Sequence, residues 1–367
     1  MLEMDESTFI DFYKNTVDEY SNYVKRLICN LLEEENKITY EEQIKLGDDK
    51  NCKYFPEKNY AKVVSETVSD KAFLAFYDKF DFIKMYKYSI PFFYEGELNE
   101  NMKNLIDEGV VVKCHEIKSE NYVISKNFDD VIPIYYELEN GNAYIKFVFQ
   151  KYYIKEDIAE QVDYRYVVIV YFDQENHMID IRYDSLKRVQ ETKTIYSQNI
   201  ESVIAWLKTN LKFEIYKCNS ANFLDVVNTK DTDVAIFKQL MDMGTAGQAE
   251  LTASKDSDYI LPFIGEIKEI ITENEELFEK SPEIKRLLED YLMEKELTAS
   301  YPYVYLMWKK AVVSKQFIVK VTFSYFENSY IQLRHITGNC TDVRMERMND
   351  AIQYFGSSRA LIRGEEI

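Results

Sequence analysis

The clearest hydrophobic pattern in the chain spans residues 164–186 and predicts a long β-hairpin. Residues 165–172 are mostly β-branched or aromatic on both faces of an extended chain, which predicts a strand covered on both sides. Residues 173–176 form a polar turn. The return strand alternates, with apolar residues on one face and Asp180, Arg182 and Asp184 on the other. Such a stripe of alternating charge is typical of a solvated face, so we predict a half-buried strand.

Two further hairpins are predicted. Residues 131–149 turn at Asn140-Gly141, the dipeptide with the strongest preference for tight hairpin turns. Residues 317–335 turn at 327–329. Amphipathic helices are predicted at 197–211, after the hairpin 164–186, and at 343–355, after the hairpin 317–335. This order indicates either two similar lobes or two occurrences of a common arrangement, and the sequence leaves both open.

The helical spacing of apolar residues predicts several other helices. They cover residues 6–34, 69–88 and 223–241, together with an antiparallel pair at 261–278 and 283–297. Residues 40–66 are polar and show no regular period, and Pro91 interrupts the pattern that precedes it.

Residues 99–125 have the order of the end of a winged-helix unit. A short helix ends at Gly109, and two strands follow at 110–117 and 122–125. The helix carries Glu100, Asp107 and Glu108 but only one lysine, Lys103. This charge has the wrong sign for a phosphate backbone, so the segment argues for a protein contact more than for DNA binding.

The predicted fold class is α+β, with a helical N-terminal region, a winged-helix-like segment and two antiparallel hairpin-plus-helix lobes separated by a helical pair. The predicted domains are the helical region 1–90, the winged-helix-like segment 91–128, a sheet with helices at 129–243, a linker with the helical pair at 244–300, and the C-terminal lobe 301–367.

Composition narrows the function classes. The chain has 367 residues, of which 46% are hydrophobic, and no apolar run reaches the length of a membrane span. Its beginning is acidic and lacks the apolar core of a signal peptide, so we predict a soluble cytoplasmic protein. Five scattered cysteines and three histidines do not form a zinc pattern. We therefore predict no metal, no cofactor and no catalytic residue.

One catalytic alternative stays open. Asp258, Glu266 and Lys268 match the minimal pattern of a Mg²⁺-dependent PD-(D/E)xK nuclease, in which the acids hold the metal and the lysine assists the attacking water. This chemistry needs Glu266 and Lys268 on one side of a strand, whereas the surrounding isoleucines have helical spacing. Cys114 and His115 are sequence neighbours, so on a strand they face opposite ways and cannot pair directly.

The least expected feature is a basic C-terminal region on an acidic chain, whose net charge is −19. The arginines concentrated there are Arg334, Arg344, Arg347, Arg359 and Arg363. We predict that they bind a protein partner or a nucleic acid, with internal pairing to the acidic body as the alternative.

The abundance of Lys, Asn, Ile and Tyr is typical of AT-rich bacteria and their phages. The overall prediction is a non-catalytic binding or assembly protein, of unknown oligomeric state, that acts in phage–host conflict.

Overall fold

The structure is a computed structural model, and its α+β class confirms the predicted fold class. It describes residues 6–41, 52–114, 131–155, 159–185, 193–230, 234–242, 247–253, 264–298, 300–308, 317–325, 330–336, 345–358 and 362–366. In these ranges no helix is long and apolar enough to cross a membrane.

The helices are α1 Glu6–Val17, α2 Asn22–Glu34, α3 Tyr60–Val68, α4 Leu74–Phe80, α5 Leu98–Asp107, α6 Lys193–Asn210, α7 Ser220–Lys230, α8 Ile264–Glu273, α9 Glu275–Glu279, α10 Pro282–Thr298 and α11 Glu346–Gly356. A 3₁₀ turn at Lys71–Phe73 precedes α4.

The strands are β1 Ile38–Thr39, β2 Lys53–Tyr54, β3 Tyr88–Glu95, β4 Val112–Lys113, β5 Ile134–Glu137, β6 Ala143–Lys155, β7 Glu160–Asp173, β8 Met178–Tyr183, β9 Glu214–Cys218, β10 Val234–Asp242, β11 Gln248–Thr252, β12 Ser300–Trp308, β13 Phe317–Tyr325, β14 Tyr330–Ile336 and β15 Arg363–Glu366.

The chain forms two compact units. Unit 1 contains residues 1–88, 92–215 and 341–357, and unit 2 contains residues 89–91, 216–340 and 358–367. The boundary near residue 215 lies inside the predicted domain 129–243. The predicted C-terminal lobe is likewise divided, because α11 belongs to unit 1 while β13 and β14 belong to unit 2.

The strands of unit 1 are built around the hairpin that dominates the sequence. Their order includes β4-β5-β6-β7-β8, and the pairs from β5 to β8 are antiparallel, as predicted for residues 131–186. Residues 164–173 of β7 are almost all buried, which confirms the strand covered on both sides. The helix predicted at 197–211 is α6.

Unit 2 contains an antiparallel sheet in the order β11-β10-β12-β13-β14. The predicted last hairpin is present as β13 and β14, although its turn at 327–329 lies outside the described residues. The central strand β12 was not predicted. The predicted helical pair is found as α8, α9 and α10, and Pro282 is the first residue of α10, as expected.

Two predictions for the N-terminal region are wrong. Residues 6–34 form two helices, because Ser21 accepts a hydrogen bond from the backbone N–H of Val24 and starts α2 as its N-cap. Residues 40–66 are not irregular throughout, since Asn59 caps α3 in the same way.

Two more predictions are overturned further along. The helix predicted at 69–88 is confined to the 3₁₀ turn, which Asp70 caps, and α4. The strand β3 begins at Tyr88 and runs through Pro91. The helix predicted at 223–241 stops at Lys230, and residues 234–242 form β10, whose β-branched and aromatic residues pack in a sheet.

The winged-helix-like segment is present in part. The helix α5 ends before Gly109, which has the left-handed φ of +72° expected at a helix end. β4 follows and pairs with β5 in parallel. The predicted second strand, 122–125, lies outside the described residues.

Replacement of Gly96 should destabilise unit 1, because backbone strain and a steric clash coincide at this position. It has a φ of +136°, and a Cβ there would lie 2.6 Å from Cδ1 of Phe213, a buried ring stacked on Tyr94. Gly109 also has a positive φ but faces open space. We expect Gly96→Ala to lower the free energy of unfolding by about 3 kcal/mol, because backbone strain and overpacking add. Gly109→Ala should cost only about 1 kcal/mol. Equal losses in urea unfolding would contradict this prediction.

Candidate functional site

Charged side chains lie together on one face of the central strands of unit 1. Lys146 on β6 pairs with Ile169 on β7, which pairs with Arg182 on β8. Directly paired residues point to the same side of a sheet, so Lys146 and Arg182 share a face. Asp180 and Arg165 reach the same side through the two-residue period of their strands. We call Lys146, Arg165, Asp180 and Arg182 the ionic face.

Lys146 is the centre of a first cluster on the ionic face. Its Nζ lies 2.5 Å from Oδ1 of Asp78 and 3.4 Å from Oδ2 of Asp81. Nη2 of Arg165 lies 2.8 Å from the same oxygen of Asp81. Tyr13 donates a hydrogen bond to Asp78, and its ring lies 3.8 Å from the guanidinium carbon of Arg165. Two cations therefore face two carboxylates in a closely paired group.

Arg182 is the centre of the second cluster. Its Nε lies 2.7 Å from Oδ2 of Asp180, and its Nη1 donates a 2.7 Å hydrogen bond to Oδ1 of Asn349 on α11. Asn349 in turn donates to the hydroxyl of Tyr144. The guanidinium carbon lies 4.6 Å from the ring centre of Tyr171, a cation–π distance. The cluster ties α11 to the sheet.

The charged stripe predicted to be solvated is buried, so that prediction is wrong. Asp180 and Arg182 are both 0% exposed, while Asp184, the last residue of the stripe, is partly exposed and pairs with Lys84. The alternation of charged and apolar residues along the strand shows only that these side chains share a face, and it does not show whether that face is buried. The elements around the clusters, α11 and the segment that follows α4, come from distant parts of the sequence.

Burial makes the first cluster a structural element. The side chains of Lys146, Asp81 and Arg165 are at most 1% exposed. A general acid or base must reach the proton it transfers, directly or through one water, whereas these buried groups are paired with one another. Within the described ranges, His, Cys, Asp and Glu form no group suited to holding a metal ion.

A pocket of about 570 Å³ opens beside the ionic face, between the α1–α2 turn and the ends of β7 and β8. Its two lysines already have protein partners. Nζ of Lys84 lies 2.5 Å from Oδ2 of Asp184, and Nζ of Lys87 donates a 2.9 Å hydrogen bond to the hydroxyl of Ser185. Both lysines of the pocket are therefore already paired with protein groups, and we assign the pocket no ligand.

Cys114 is a poor candidate for a nucleophile. Burial, followed by the nearby carboxylate of Asp78, raises the pKa of its thiol to about 11. The thiol is therefore protonated at neutral pH, whereas nucleophilic attack requires the thiolate. His115, its neighbour in sequence, lies outside the described residues.

The nuclease residues are not arranged as that chemistry needs. Glu266 and Lys268 lie on α8, both exposed, and residues two apart on a helix point about 200° apart. Asp258 lies outside the described residues. The strand geometry that would align the glutamate with the lysine is therefore absent from this segment.

The predicted arginines fall in both units. Arg334 is exposed on β14 and Arg363 lies on β15, both in unit 2, whereas Arg347 lies half-buried on α11 in unit 1. Arg363 stacks over the ring of Tyr216. Arg344 and Arg359 lie outside the described residues. A single binding patch made of all five stays a prediction.

The surroundings of Arg334 include residues that sequence reasoning missed. A row of directly paired residues crosses four strands of unit 2, and we call it the basic row: Lys238, Tyr305, Lys320 and Arg334. Nζ of Lys320 also lies 3.7 Å from the ring centre of Tyr303. The alternating tyrosines at 301, 303 and 305 were the available signal, and they were missed because β12 was not recognised as a strand.

The helices α8, α9 and α10 carry a concentration of exposed apolar side chains. Of the nine large apolar residues that are exposed in the described part of the chain, six lie on these three helices. We define the apolar helical surface by five of them, which are 51–70% exposed: Ile270, Leu277, Ile284, Leu287 and Tyr291. Single exposed apolar residues are ordinary, but a concentrated group indicates an interaction surface.

The apolar helical surface has acidic surroundings. Between Ile264 and Met293 the chain carries nine Asp or Glu residues and four Lys or Arg residues. Glu283 and Asp290 are exposed and seven residues apart on α10, so they flank the row formed by Ile284 and Leu287 on one side. The surface therefore combines an apolar centre with negative charge at its border.

Comparison with known proteins adds no functional information. No model of a known protein family matches the chain, and no curated protein sequence matches it significantly.

Proposed function

We propose that this protein is a non-catalytic binding or assembly protein whose partner docks on the apolar helical surface. The observation that carries the proposal is the exposure of Leu277 and Leu287, 63% and 70%, on helices that otherwise pack together. A stable complex would remove these side chains from water, which is favourable by roughly 25 cal/mol for each Å² of apolar surface buried.

The occupant that this surface fits is a basic amphipathic helix of another protein. Such a helix lays apolar residues spaced by three and four into an apolar surface, and its cations would meet Glu283 and Asp290. A second copy of the chain is disfavoured, because it would place one acidic border opposite another on proteins with a net charge of −19.

Designed peptides test this surface directly. We expect a labelled amphipathic Leu/Lys peptide to bind the full chain in fluorescence anisotropy, whereas a Ser/Lys peptide of equal charge and a Leu/Glu peptide bind at least about tenfold more weakly. Ile284→Ser with Leu287→Ser should abolish most of this affinity. Glu283→Lys with Asp290→Lys should reduce the preference for the Leu/Lys peptide over the Leu/Glu peptide.

The matched control is Glu100→Lys with Asp107→Lys, which reverses two exposed acids with the same spacing on α5 in unit 1. It should leave the peptide preference unchanged. Peptide binding that ignores Ile284 and Leu287 would remove this surface as the docking site. Self-association in sedimentation that is lost in Ile284→Ser with Leu287→Ser would make a second copy the occupant.

The rival function is the metal-dependent nuclease of Asp258, Glu266 and Lys268. We expect plasmid DNA to stay intact when it is incubated with the protein and Mg²⁺ or Mn²⁺. Cleavage that disappears in Lys268→Ala would overturn the binding proposal. A role in phage–host conflict is proposed on composition alone, and co-purification from the native cell tests it by identifying the partner.

A further inference from the structure

We infer that the half-exposed face of the sheet in unit 2 is a second binding site, which takes single-stranded nucleic acid along the basic row. In this site the ammonium and guanidinium groups of Lys238, Lys320 and Arg334 contact phosphates. The rings of Tyr303 and Tyr305 stack on bases. This inference is independent of the apolar helical surface.

The two faces of this sheet differ in chemistry. On one face Val304, Val319 and Leu333 are fully buried, whereas on the other the members of the basic row are exposed or half-exposed. The row crosses four neighbouring strands and so spans about 14 Å. Four-stranded sheets that stack about two or three bases on aromatic side chains are a recurring solution for single strands.

The cations of the row are only partly neutralised. Arg334 and Lys320 form no salt bridge with any residue in the described ranges, while Nζ of Lys238 lies 2.6 Å from Oε1 of Glu250. Lys320 and Arg334 are direct cross-strand partners, so two like charges are held close together. Burial, and then the positive charge of Arg334, lowers the pKa of the Lys320 ammonium. Three cations and one carboxylate leave a local excess of positive charge.

The tyrosines favour a single-stranded nucleic acid over an acidic protein surface as the anionic partner. The rings of Tyr303 and Tyr305 are perpendicular, with centres 5.7 Å apart, and Lys320 lies over the first of them. An acidic protein surface would use the cations but has no need of aromatic rings beside them. Unstacked bases use both, since stacking on an aromatic side chain contributes about 1–3 kcal/mol for each base.

The net charge of −19 does not exclude this site. Interactions between exposed charges are screened beyond about 8 Å at physiological ionic strength, so the charges of the row act more strongly than those of distant acids. With three phosphate contacts, the logarithm of the affinity should fall with the logarithm of the salt concentration with a slope of about −2.

Anisotropy of a labelled single-stranded oligonucleotide of about twelve nucleotides tests the site on the full chain. We expect Lys320→Ala with Arg334→Ala to weaken binding at least about tenfold, and Tyr303→Leu with Tyr305→Leu to do the same. The matched control is Lys280→Ala with Arg286→Ala, an exposed lysine just before α10 and an exposed arginine on it, which should change nothing. Glu250→Gln removes the carboxylate that pairs with Lys238 and accepts the hydrogen bond of the Tyr303 hydroxyl, so it should strengthen binding by removing a negative charge from the site.

The result that confirms the inference is loss in both double variants together with the gain in Glu250→Gln, which cannot come from misfolding. No binding at low salt would overturn it, as would binding unaffected by Lys320→Ala with Arg334→Ala. A polyglutamate peptide that binds as tightly as the oligonucleotide, and ignores the two tyrosines, would assign the row to an acidic protein. A duplex that binds more tightly than its single strand would also contradict the inference.

Discussion

Lys146→Met should lower the free energy of unfolding by about 3–5 kcal/mol. The Lys146 ammonium is 0% exposed and lies between the carboxylates of Asp78 and Asp81. Its removal leaves two buried negative charges that share one remaining cation, Arg165. The cost is large because an uncompensated charge stays in a medium of low dielectric constant. Urea unfolding at neutral pH measures the loss.

The matched control is Lys79→Met, which removes an exposed lysine adjacent in sequence to Asp78 and should change stability by less than about 0.5 kcal/mol. Asp78→Asn added to Lys146→Met should cost less than the sum of the two single changes, because it removes one of the stranded charges. A loss below about 1 kcal/mol for Lys146→Met would show that water reaches the cluster.

Alkaline pH should unfold the protein steeply, because buried tyrosines must ionise when the chain opens. Burial is the largest cause that raises the pKa of Tyr86, Tyr166 and Tyr171 above the ordinary value of 10.0. In the unfolded chain these hydroxyls lose their protons near pH 10, whereas in the folded chain they retain them. Their contribution to stability is therefore complete below about pH 10 and is lost as the pH rises above it.

The expected slope is large. Each such tyrosine removes about 1.4 kcal/mol of stability per pH unit above 10, so the three together remove about 4 kcal/mol per unit. Urea unfolding on both sides of pH 10 measures it, and tyrosinate absorbance should rise together with the loss of structure. Titration of all the tyrosines near pH 10 with the fold retained would contradict the prediction.

Tyr86→Phe separates titration from packing. It should reduce the alkaline slope by about 1.4 kcal/mol per pH unit, because one buried hydroxyl no longer ionises. At neutral pH it should cost only about 1 kcal/mol, since it removes the hydrogen bond from the Tyr86 hydroxyl to the carbonyl of Asp81.

The sequence predicts best where pattern and burial agree. Residues 166–172 are apolar on both faces and form the buried centre of β7, and Asn140-Gly141 becomes a hairpin turn. The sequence predicts burial poorly where the residues that cover a strand come from distant parts of the chain. Asp180 and Arg182 alternate with apolar residues, as they would on a solvated face. No residue near them in the sequence indicates that Asn349 will contact Arg182. Tertiary packing decides burial, whereas local spacing decides only the face.

The candidate surfaces were predictable to different degrees. The helices of the apolar helical surface and several of its residues follow from helical spacing, but that spacing cannot tell a packed stripe from an exposed one. Ile271 and Leu292 are buried while Ile284 and Leu287 are exposed, although all four follow the apolar spacing that predicts these helices. The basic row depends on strand register, which places Lys238 level with Arg334 across about a hundred residues of chain, a relation that no local pattern encodes.

The position of α11 has a consequence for the order in which the chain is made. A ribosome that has reached residue 340 has released most of unit 1 but not α11, because unit 1 includes residues 341–357. Until those residues emerge, Arg182 lacks Asn349 and the backbone of Tyr86 lacks the sulfur of Met348. Unit 1 therefore matures only after unit 2 has been largely synthesised, instead of folding before it.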